Sequence, residues 1–474
     1  MDELPDLTTL NHAEKDALIC SLFPLLEKVQ QLTAQVEELK ARLSKDSHNS
    51  SKPPSGDGLA KKTRSLRERS GKKPGAQAGH PGKTLERTSH VDQVIDHPVP
   101  QHCHACGASL AEAAFSERRQ VFDIPVARYQ VTEHRTHQVR CACGQTHQSQ
   151  FPDYVTEAVQ YGPNIRALAV HLTHGQLLPL ARTAQLISQL FALNLSPATV
   201  HAWIGQACVL LQPQVGHIAQ ALVSAPVAHA DESGLRVAGR LHWLHTVVSD
   251  KLTWYGVHGR RGLPAIQDHG ILPKRMATLV HDCWAPYWRL DCEHALCNAH
   301  LLRELTFVHE TTHQHWPKRM MGLLRRANKR CEAARLQGKE ALSARRIRHI
   351  CHDYETILNK ARARNPRTAR HNKRRGRVKQ SVAFNLINRL HEHAAEVLRF
   401  VTDLRVPFTN NLGERAIRMP KVKQKISGCF RTLKGAQDFC VIRAYLDTML
   451  KQGHNVFEAL RLAFIGQPIS PALG

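Results

Sequence analysis

Apolar residues near the N-terminus recur with the spacing of a coiled coil. Six of them alternate intervals of four and three residues, as the a and d positions of a heptad do. They are Leu25, Val29, Leu32, Val36, Leu39 and Leu43. The pattern predicts a helix over residues 18–43 that begins near Pro24, since proline is costly inside a helix. We expect a short coiled coil; a helix packed against its own chain fits the same pattern.

Residues 161–212 are also helical in pattern, but here a short break separates two helices. Ser196 is placed to cap the second helix, and Pro197 occupies the first helical position, where proline is tolerated. The arrangement predicts a helix–turn–helix whose second helix presents Thr199 and His201 to DNA. Ordinary packing of two helices joined by a short turn remains the alternative.

After Pro226 the pattern changes to that of strands. Three short segments, at residues 227–237, 240–250 and 251–259, are separated by turn residues and predict an antiparallel meander. A helical stretch follows, and then an apolar strand that ends in Asp282. Residues 302–400 return to a helical pattern, which places a helical insertion between Asp282 and the next strongly patterned segment.

The net positive charge of the chain indicates a negatively charged partner. Lys and Arg number 65 against 40 Asp and Glu, a net charge of +25, which favours a polyanion because phosphate contacts release counterions. We find neither a secretory signal nor an apolar run that would span a membrane. We therefore expect a cytoplasmic protein without a membrane partner, associated with the bacterial nucleoid when bound to DNA.

Two close cysteine pairs predict a zinc module at residues 98–152. Cys103 and Cys106, then Cys141 and Cys143, are each followed by a glycine that lets the turn close. Four thiolates complete a tetrahedral site for one structural Zn²⁺. Unligated cysteines, or His147 in place of one thiolate, are the alternatives, and the intervening residues 118–140 resemble a strand.

The segment between the coiled coil and this module has little to bury. Residues 44–84 are rich in Ser, Pro, Gly, Lys and Arg, which predicts flexibility in the free protein. Such a segment serves either as a basic arm on DNA or as a solvated linker.

Two acids fall on the predicted sheet, and a third lies on a later helix. Asp231 is within the first strand and Asp282 ends the fourth, so adjacent strands would bring them together. Crowded carboxylates repel, and bound cations relieve the repulsion. Glu414 would supply the third acid. Spacing alone leaves open that the two aspartates are ordinary strand-end acids and that Asn411 and Glu414 form a capping box.

Several uncommon segments, in this order, resemble the insertion sequence 66 family of DDE transposases. They are HADESG (229–234), HDCWAPY (281–287), CNAHLLREL (297–305) and NNLGERAIRMPKVKQKISGCFRT (410–432). NSSKPPSGDG (49–58), GKKPGAQAGHPGK (71–83), the cysteine pairs and the leucine-rich N-terminus extend the resemblance over nearly the whole chain. Two departures are Cys283, where we expect glycine, and Ser233, where threonine is usual.

The resemblance implies an activity and its cofactors. The implied catalytic acids are Asp231, Asp282 and Glu414, which would hold two Mg²⁺ (or Mn²⁺) ions on an RNase H-like core. The implied reaction is metal-dependent nicking of DNA at terminal inverted repeats, followed by transfer of the freed 3′-hydroxyl into target DNA, both on duplex DNA. We expect a homo-oligomer on DNA, with small accessory proteins of the same element as further candidate partners.

The predicted fold is multidomain α+β. We expect a coiled coil (1–45), a basic linker or arm (46–97), the cysteine module (98–152) and a helix–turn–helix-like domain (153–220). The catalytic domain would follow (221–430, with the insertion at about 302–400), and then a helical C-terminal segment (431–474).

Basic residues near the acids are candidates to contact DNA. Residues 360–379 carry ten Lys and Arg and no acid, although a solvated loop has the same composition. Arg418 is one helical turn beyond Glu414, and Pro420 is expected to end or kink that helix. The DNA-contact candidates are Lys373, Arg374, Arg375, Arg377, Arg418, Lys421, Lys423 and Lys425.

Other readings stay open. Cys292, His294, Cys297 and His300 would suit a second zinc site, although strand-end and helix-start positions explain them more simply. His300 is a candidate neighbour of the catalytic metals. A silenced transposase that only binds DNA, and a nuclease that cuts without joining, are the alternatives to an active transposase.

Overall fold

A computed structural model describes residues 8–50, 57, 79, 85–97, 99–110, 115–124, 129–369 and 378–473. The fold is mixed α/β: helices surround one five-stranded sheet, and a separate two-stranded hairpin precedes them. Within the described residues, no helix has the length and apolar character needed to cross a membrane.

The N-terminal helix α1 spans His12–Leu43. A capping box begins it: the Glu14 amide donates to the Asn11 side chain, and the Asn11 amide donates to the Glu14 carboxylate, both at 2.9 Å. The helix therefore starts earlier than its apolar pattern indicated. Our placement of Pro24 in the first turn is wrong, because Pro24 lies inside the helix.

The two cysteine pairs lie on two turns. Strands β1 (Gln138–Arg140) and β2 (Thr146–Gln148) pair antiparallel, and Cys141 and Cys143 lie in the turn between them. Gly107 and Gly144 have φ of 73° and 92°, so each glycine supplies the left-handed residue that closes its turn, as predicted. The strand expected over 118–140 is wrong for most of its described length: only its last three residues are paired.

A helical layer follows, made of α2 (Pro163–Val170), α3 (Leu180–Phe191) and α4 (Pro197–Ser224). The predicted cap of α4 is confirmed: the Ser196 hydroxyl accepts from the Thr199 amide at 3.0 Å, with Pro197 in the first turn. Helix α4 then continues past residue 212 to Ser224, because its apolar side chains keep contact with the sheet.

The sheet contains β3 (Val227–Val237), β4 (Arg240–Val248), β5 (Thr253–His258), β6 (Thr278–His281) and β7 (His294–Leu296). Its order is β5-β4-β3-β6-β7. The predicted antiparallel meander is confirmed in the first three strands, whereas β6 and β7 add in parallel. Helix α5 (Leu263–His269) connects the two parts, as its pattern predicted.

The faces of β3 follow from the alternation of its side chains. Ala228 and Ala230 join one apolar cluster, with the end of α4 and with Leu279 of β6. Leu235 and Val237 join another, with α2, α4 and the C-terminal helices. Since side chains alternate along a strand, Asp231 shares the face of Leu235 and Val237.

The described residues among 302–400 are mainly helical, as expected. They form most of α6 (Asn298–Thr312), then α7 (Trp316–Leu336), α8 (Ala344–Arg364), α9 (Val382–Glu392), α10 (Ala394–Val397) and α11 (Arg399–Thr402). These helices bury one shared core that includes Val280 of β6 and Leu296 of β7. The helical body is thus anchored to the parallel edge of the sheet.

Three helices complete the chain: α12 (Asn411–Ser427), α13 (Leu433–Lys451) and α14 (Val456–Phe464). Helix α12 lies over β3 and β4, and α13 packs on β5 and α4. Pro420 was expected to end or kink α12. It does not end the helix, which continues to Ser427, and the kink stays a prediction. Pro420 is buried, so its ring adds apolar contacts where it removes a hydrogen bond.

Candidate active site

Asp231 and Asp282 lie on adjacent parallel strands. The register pairs His229 of β3 with Val280 of β6, so extending it by two residues sets Asp231 beside Asp282, which directly follows β6. Neighbouring strands are about 4.8 Å apart, which brings two carboxylates on the same pleat within electrostatic reach. The sheet therefore joins acids that are 51 positions apart in the chain.

The chain turns sharply after Asp282. Cys283 has φ of 70°, the left-handed conformation that favours glycine, and its amide donates to the His281 ring at 3.1 Å. The Trp284 amide points back to the Asp282 carboxylate at 3.3 Å. The departure noted at Cys283 thus falls at a position where a side chain strains the backbone.

Asn410 attaches the helix that carries Glu414 to the strand that carries Asp231. Its side chain is buried, contacts the ring of His229 at 2.8 Å and donates to the Ala230 carbonyl at 2.8 Å. The backbone N–H of Asn410 donates to the Cys297 sulfur at 3.1 Å. Gly413 permits this approach, because a Cβ there would lie 3.0 Å from the Asn410 side-chain oxygen.

The capping-box alternative for Glu414 is wrong. Asn410, not Asn411, is the N-cap of α12, and its side chain makes no capping hydrogen bond because it is committed to β3. The Glu414 carboxylate is accordingly not engaged in a reciprocal cap.

Asp231 is affected by the charges of the neighbouring acids. Burial raises the pKa of Asp231 well above its usual value, and the charges of Glu232, Asp282 and Glu414 raise it further. Asp231 is therefore within electrostatic reach of Asp282 and Glu414, and a cation beside it would stabilise its ionised form.

Glu232 belongs to the opposite face of β3 and is fully paired. Its carboxylate accepts from the Tyr287 hydroxyl at 2.7 Å and from the Arg261 guanidinium at 2.6 Å. The guanidinium also stacks between Trp243 and Trp284, at 4.8 and 4.4 Å from their ring centroids. Because Trp284 follows the Asp282 turn, this network holds the turn against β3.

Sequence reasoning missed this network and the role of Asn410. HADESG, HDCWAPY and NNLGER contain His229, Glu232, Tyr287 and Asn410, yet only the acids were assigned a role. The repeated polar residues beside each acid were the available signal. His229 is held neutral, since burial lowers its pKa to about 4.

Glu414 also faces the start of α6. Its Oε1 is 3.9 Å from Nδ1 of His300, and both atoms are buried without a hydrogen-bond partner. Burial lowers the pKa of His300, with a smaller contribution from Arg303, so the ring is neutral and able to accept. The predicted proximity of His300 to the acids is matched by this geometry.

The other members of the second zinc hypothesis lie elsewhere. Cys297 is the N-cap of α6 beside His300, but His294 is on β7, where its ring contacts His281 at 3.1 Å. Cys292 packs into a different apolar cluster. Among the described residues, the sole set of three or more side chains arranged to bind a metal is Cys297, His300 and Glu414, so the set of four is not assembled.

The basic candidates separate by exposure. Arg418, Lys421 and Lys425 are exposed, and Lys421 Nζ donates to the Gly234 carbonyl of β3 at 3.1 Å. Lys423 is half-buried, and burial lowers its pKa, so it is the least suited of the four to contact DNA. Lys373, Arg374, Arg375 and Arg377 lie outside the described residues.

Two further sets were predicted upstream. On α4, His201 is exposed, whereas the half-buried Thr199 has its hydroxyl 2.9 Å from that of Ser196.

In the cysteine module, hydrogen bonds from backbone amides and from the Cys106 thiol lower the pKa of Cys103. Hydrogen bonds from the backbone amide and the thiol of Cys143 lower the pKa of Cys141 in the same way. One cysteine of each pair, Cys103 and Cys141, is thus shifted toward the thiolate form that zinc needs, although the two pairs are not assembled into one cluster.

Comparison with known families decides the relationship. Residues 158–438 match the family described as Transposase IS66 family, which is more than half of the chain. The chain belongs to the IS66 transposase family. Residues 100–144 of this transposase match the zinc-finger binding domain of transposase IS66, and residues 2–86 match a family of unknown function. No curated protein matches the chain.

The matches agree with the organisation described above. The IS66 match contains all three acids, and the zinc-finger match contains all four predicted cysteines. Zinc binding by the module and a transposase role are therefore supported by family membership.

We predict that Asn410→Ala lowers the free energy of unfolding by about 2–4 kcal/mol, because it leaves a buried carbonyl and the His229 ring unpaired. Chemical denaturation measures the change. Asn411→Ala is the matched control, since Asn411 is exposed at the next position. Equal stabilities of the two variants would contradict the role of Asn410.

We predict that Cys283→Gly is more stable than Cys283→Ala by about 1 kcal/mol, the reverse of the usual order. Both changes remove the thiol, but only glycine relieves the left-handed backbone at φ of 70°. Thermal unfolding of the two variants compares them directly. If the alanine variant is the more stable, the turn after Asp282 is not strained.

Proposed function

We propose that this protein is an active DDE transposase that cuts DNA at the ends of its element and joins them to target DNA. Asp231, Asp282 and Glu414 are its catalytic acids, and they hold two Mg²⁺ ions, for which Mn²⁺ can substitute. The observation that carries the proposal is geometric: the strand register sets Asp231 beside Asp282, and Asn410 holds the start of α12, which carries Glu414, against β3. The raised pKa of Asp231 agrees with this placement.

The residues present fit such a metal centre. Asp231 is half-buried and feels the charges of Asp282 and Glu414, and a cation would offset that repulsion. Glu414 Oε1 is buried and lacks a hydrogen-bond partner, as expected of an atom reserved for a ligand. When bound, the two ions would activate the attacking oxygen and stabilise the leaving one.

The protein's own residues position the DNA and the acids. Asn410 keeps the start of α12 against β3, and the Glu232–Arg261–Trp284 network keeps the Asp282 turn in place. Arg418 and Lys421 extend from the same helix as Glu414 and would bind the phosphates on either side of the scissile bond. Neutral His300 borders Glu414 without competing for its charge.

The catalytic domain is proposed to be RNase H-like. The central β3 with an antiparallel meander on one side and parallel strands on the other supports this assignment. We propose the same domain limits as the sequence indicated, with residues 302–400 as an insertion that packs its own core.

Recognition of the terminal inverted repeats is assigned to the upstream modules. His201 at the start of α4 is exposed to contact bases, and the zinc module with one structural Zn²⁺ on Cys103, Cys106, Cys141 and Cys143 supplies further contacts. Arg418, Lys421, Lys425 and the basic segment 360–379 are assigned to the phosphate backbone.

A silenced regulator that only binds DNA is the alternative. It would have no need of three converging acids, so their retention favours the enzyme.

We predict that Asp231→Asn and Glu414→Gln each lower the rate of strand transfer at least about 100-fold, because the metals lose a charged ligand. DNA carrying the repeats that flank the reading frame is the substrate, and joined products are resolved on gels. Binding to the same DNA should change little. Asp291→Asn, an exposed acid outside the group, is the control.

Three results would contradict this assignment in different ways. Undiminished joining by Asp231→Asn rejects the assigned acids. Cutting without joining by the unaltered protein identifies a nuclease. Binding without either reaction supports the silenced regulator.

The apolar stripe of α1 supports self-association. Val29, Leu32 and Leu39 are 51–58% exposed in the single chain, so nothing within the described residues covers them. We propose that α1 forms a coiled coil with a second copy and that the protein acts as an oligomer on DNA, with or without small accessory proteins.

We predict that Leu32→Asp converts the free protein to a smaller species, because it buries a charge in the seam. Sedimentation velocity measures the mass. Gln31→Asp adds the same charge outside the seam and should leave the mass unchanged. Equal masses for both variants would favour a different interface.

A further inference from the structure

A metal-binding trio lies where α6 and α12 begin. The donor atoms of Cys297, His300 and Glu414 all lie within 4.8 Å of one another. Cys297 is the N-cap of α6, His300 is in its first turn, and Glu414 is in the first turn of α12. Two helix starts therefore present sulfur, nitrogen and oxygen donors to a single point.

Two of these donors make no hydrogen bond in the structure. Nδ1 of His300 and Oε1 of Glu414 are buried without a hydrogen-bond partner, and their separation of 3.9 Å is too long for a hydrogen bond between them. Buried polar atoms are almost always satisfied in proteins, so a ligand between the two is the expected resolution.

The third donor is already oriented. The Cys297 sulfur accepts the Asn410 amide at 3.1 Å, the kind of outer hydrogen bond that holds a metal-bound thiolate. The same Asn410 fixes α12 to β3, so the distance between Cys297 and Glu414 is set by buried main chain rather than by mobile loops.

The donor set selects the ion. Mg²⁺ prefers oxygen ligands, whereas a thiolate, an imidazole and a carboxylate suit Zn²⁺. In a tetrahedral zinc site these donors are about 3.4–3.6 Å apart, so rotations of the side chains would close the trio around one ion. Three protein ligands leave the fourth position to water.

We propose that Cys297, His300 and Glu414 bind one Zn²⁺, in addition to the zinc of the cysteine module, and that this ion inhibits the enzyme. A Glu414 carboxylate that is bound to Zn²⁺ is a weaker ligand for the catalytic Mg²⁺ beside Asp231. Zinc in the trio therefore deprives the catalytic metals of their third acid. The inhibition rests on the proposed function; the binding does not.

Zinc content of the full chain tests the binding. After equilibration with zinc and removal of free metal, we expect two ions per unaltered chain by mass spectrometry of the metal, and one in Cys297→Ser and in His300→Ala. Cys292→Ser removes a nearby cysteine outside the trio and should retain two. Thermal unfolding of each variant verifies that it is folded.

Cobalt gives an independent reading of the same site. In the variant Cys103→Ser/Cys106→Ser, which lacks half of the zinc module, Co²⁺ should still produce a thiolate charge-transfer band, and Cys297→Ser in that background should abolish it. An unaltered chain with one zinc ion, or equal zinc in the unaltered chain and Cys297→Ser, overturns the proposal.

Strand transfer in excess Mg²⁺ tests the inhibition. We expect added zinc to inhibit the unaltered enzyme, and the concentration that halves the rate to rise about 10-fold or more in Cys297→Ser, each variant being compared with itself without zinc. Equal sensitivity overturns the inhibitory role. If no preparation joins DNA, the proposed function fails, while the zinc content still decides the binding.

Discussion

The arrangement of the acids depends on the hydrogen bonds of Asn410. Its amide group contacts His229 and the Ala230 carbonyl on β3, and its own backbone N–H meets Cys297 at the start of α6. One buried residue thereby joins a strand and two helices at the point where the acids meet. Lys421 and Gln424 attach α12 to the Gly234 carbonyl further along the helix, whereas Asn410 makes the bonds at its start, beside Glu414.

The helical body between Asp282 and Glu414 serves the same end. The 131 intervening residues bury a core of their own, and that core includes residues of β6 and β7. An insertion that packs on the parallel edge of the sheet returns the chain to β3 at a fixed place. Closing so long a connection costs conformational entropy. Burial of apolar side chains within the insertion offsets that cost, so contacts at the site do not have to.

The site itself carries several unfavourable features at once. Asp231 is half-buried among like charges, Cys283 is in a left-handed conformation, and two polar atoms at His300 and Glu414 lack hydrogen-bond partners. Such features persist where the surrounding structure over-determines them, and they concentrate where ligands bind. Metal ions would relieve the charge and satisfy the open donors, which gives one physical reason for their coincidence. Mg²⁺ at the catalytic acids and Zn²⁺ at the trio would then compete for Glu414.

The sequence by itself determined the local elements and the chemistry. Strand-like patterning predicted β3 to β5, and an apolar run predicted β6. Apolar periodicity predicted the helices, and Ser196 marked the start of α4. Each of these signals depends on near neighbours along the chain. Only the tertiary structure decided what crosses between elements. The role of Asn410, the separation of His294 and Cys292 from Cys297, and the burial of Lys423 and Pro420 depend on partners tens to hundreds of positions away. The start of α1 is different, because the Asn11–Glu14 cap that sets it is a signal along the chain itself and outweighs the expectation from Pro24.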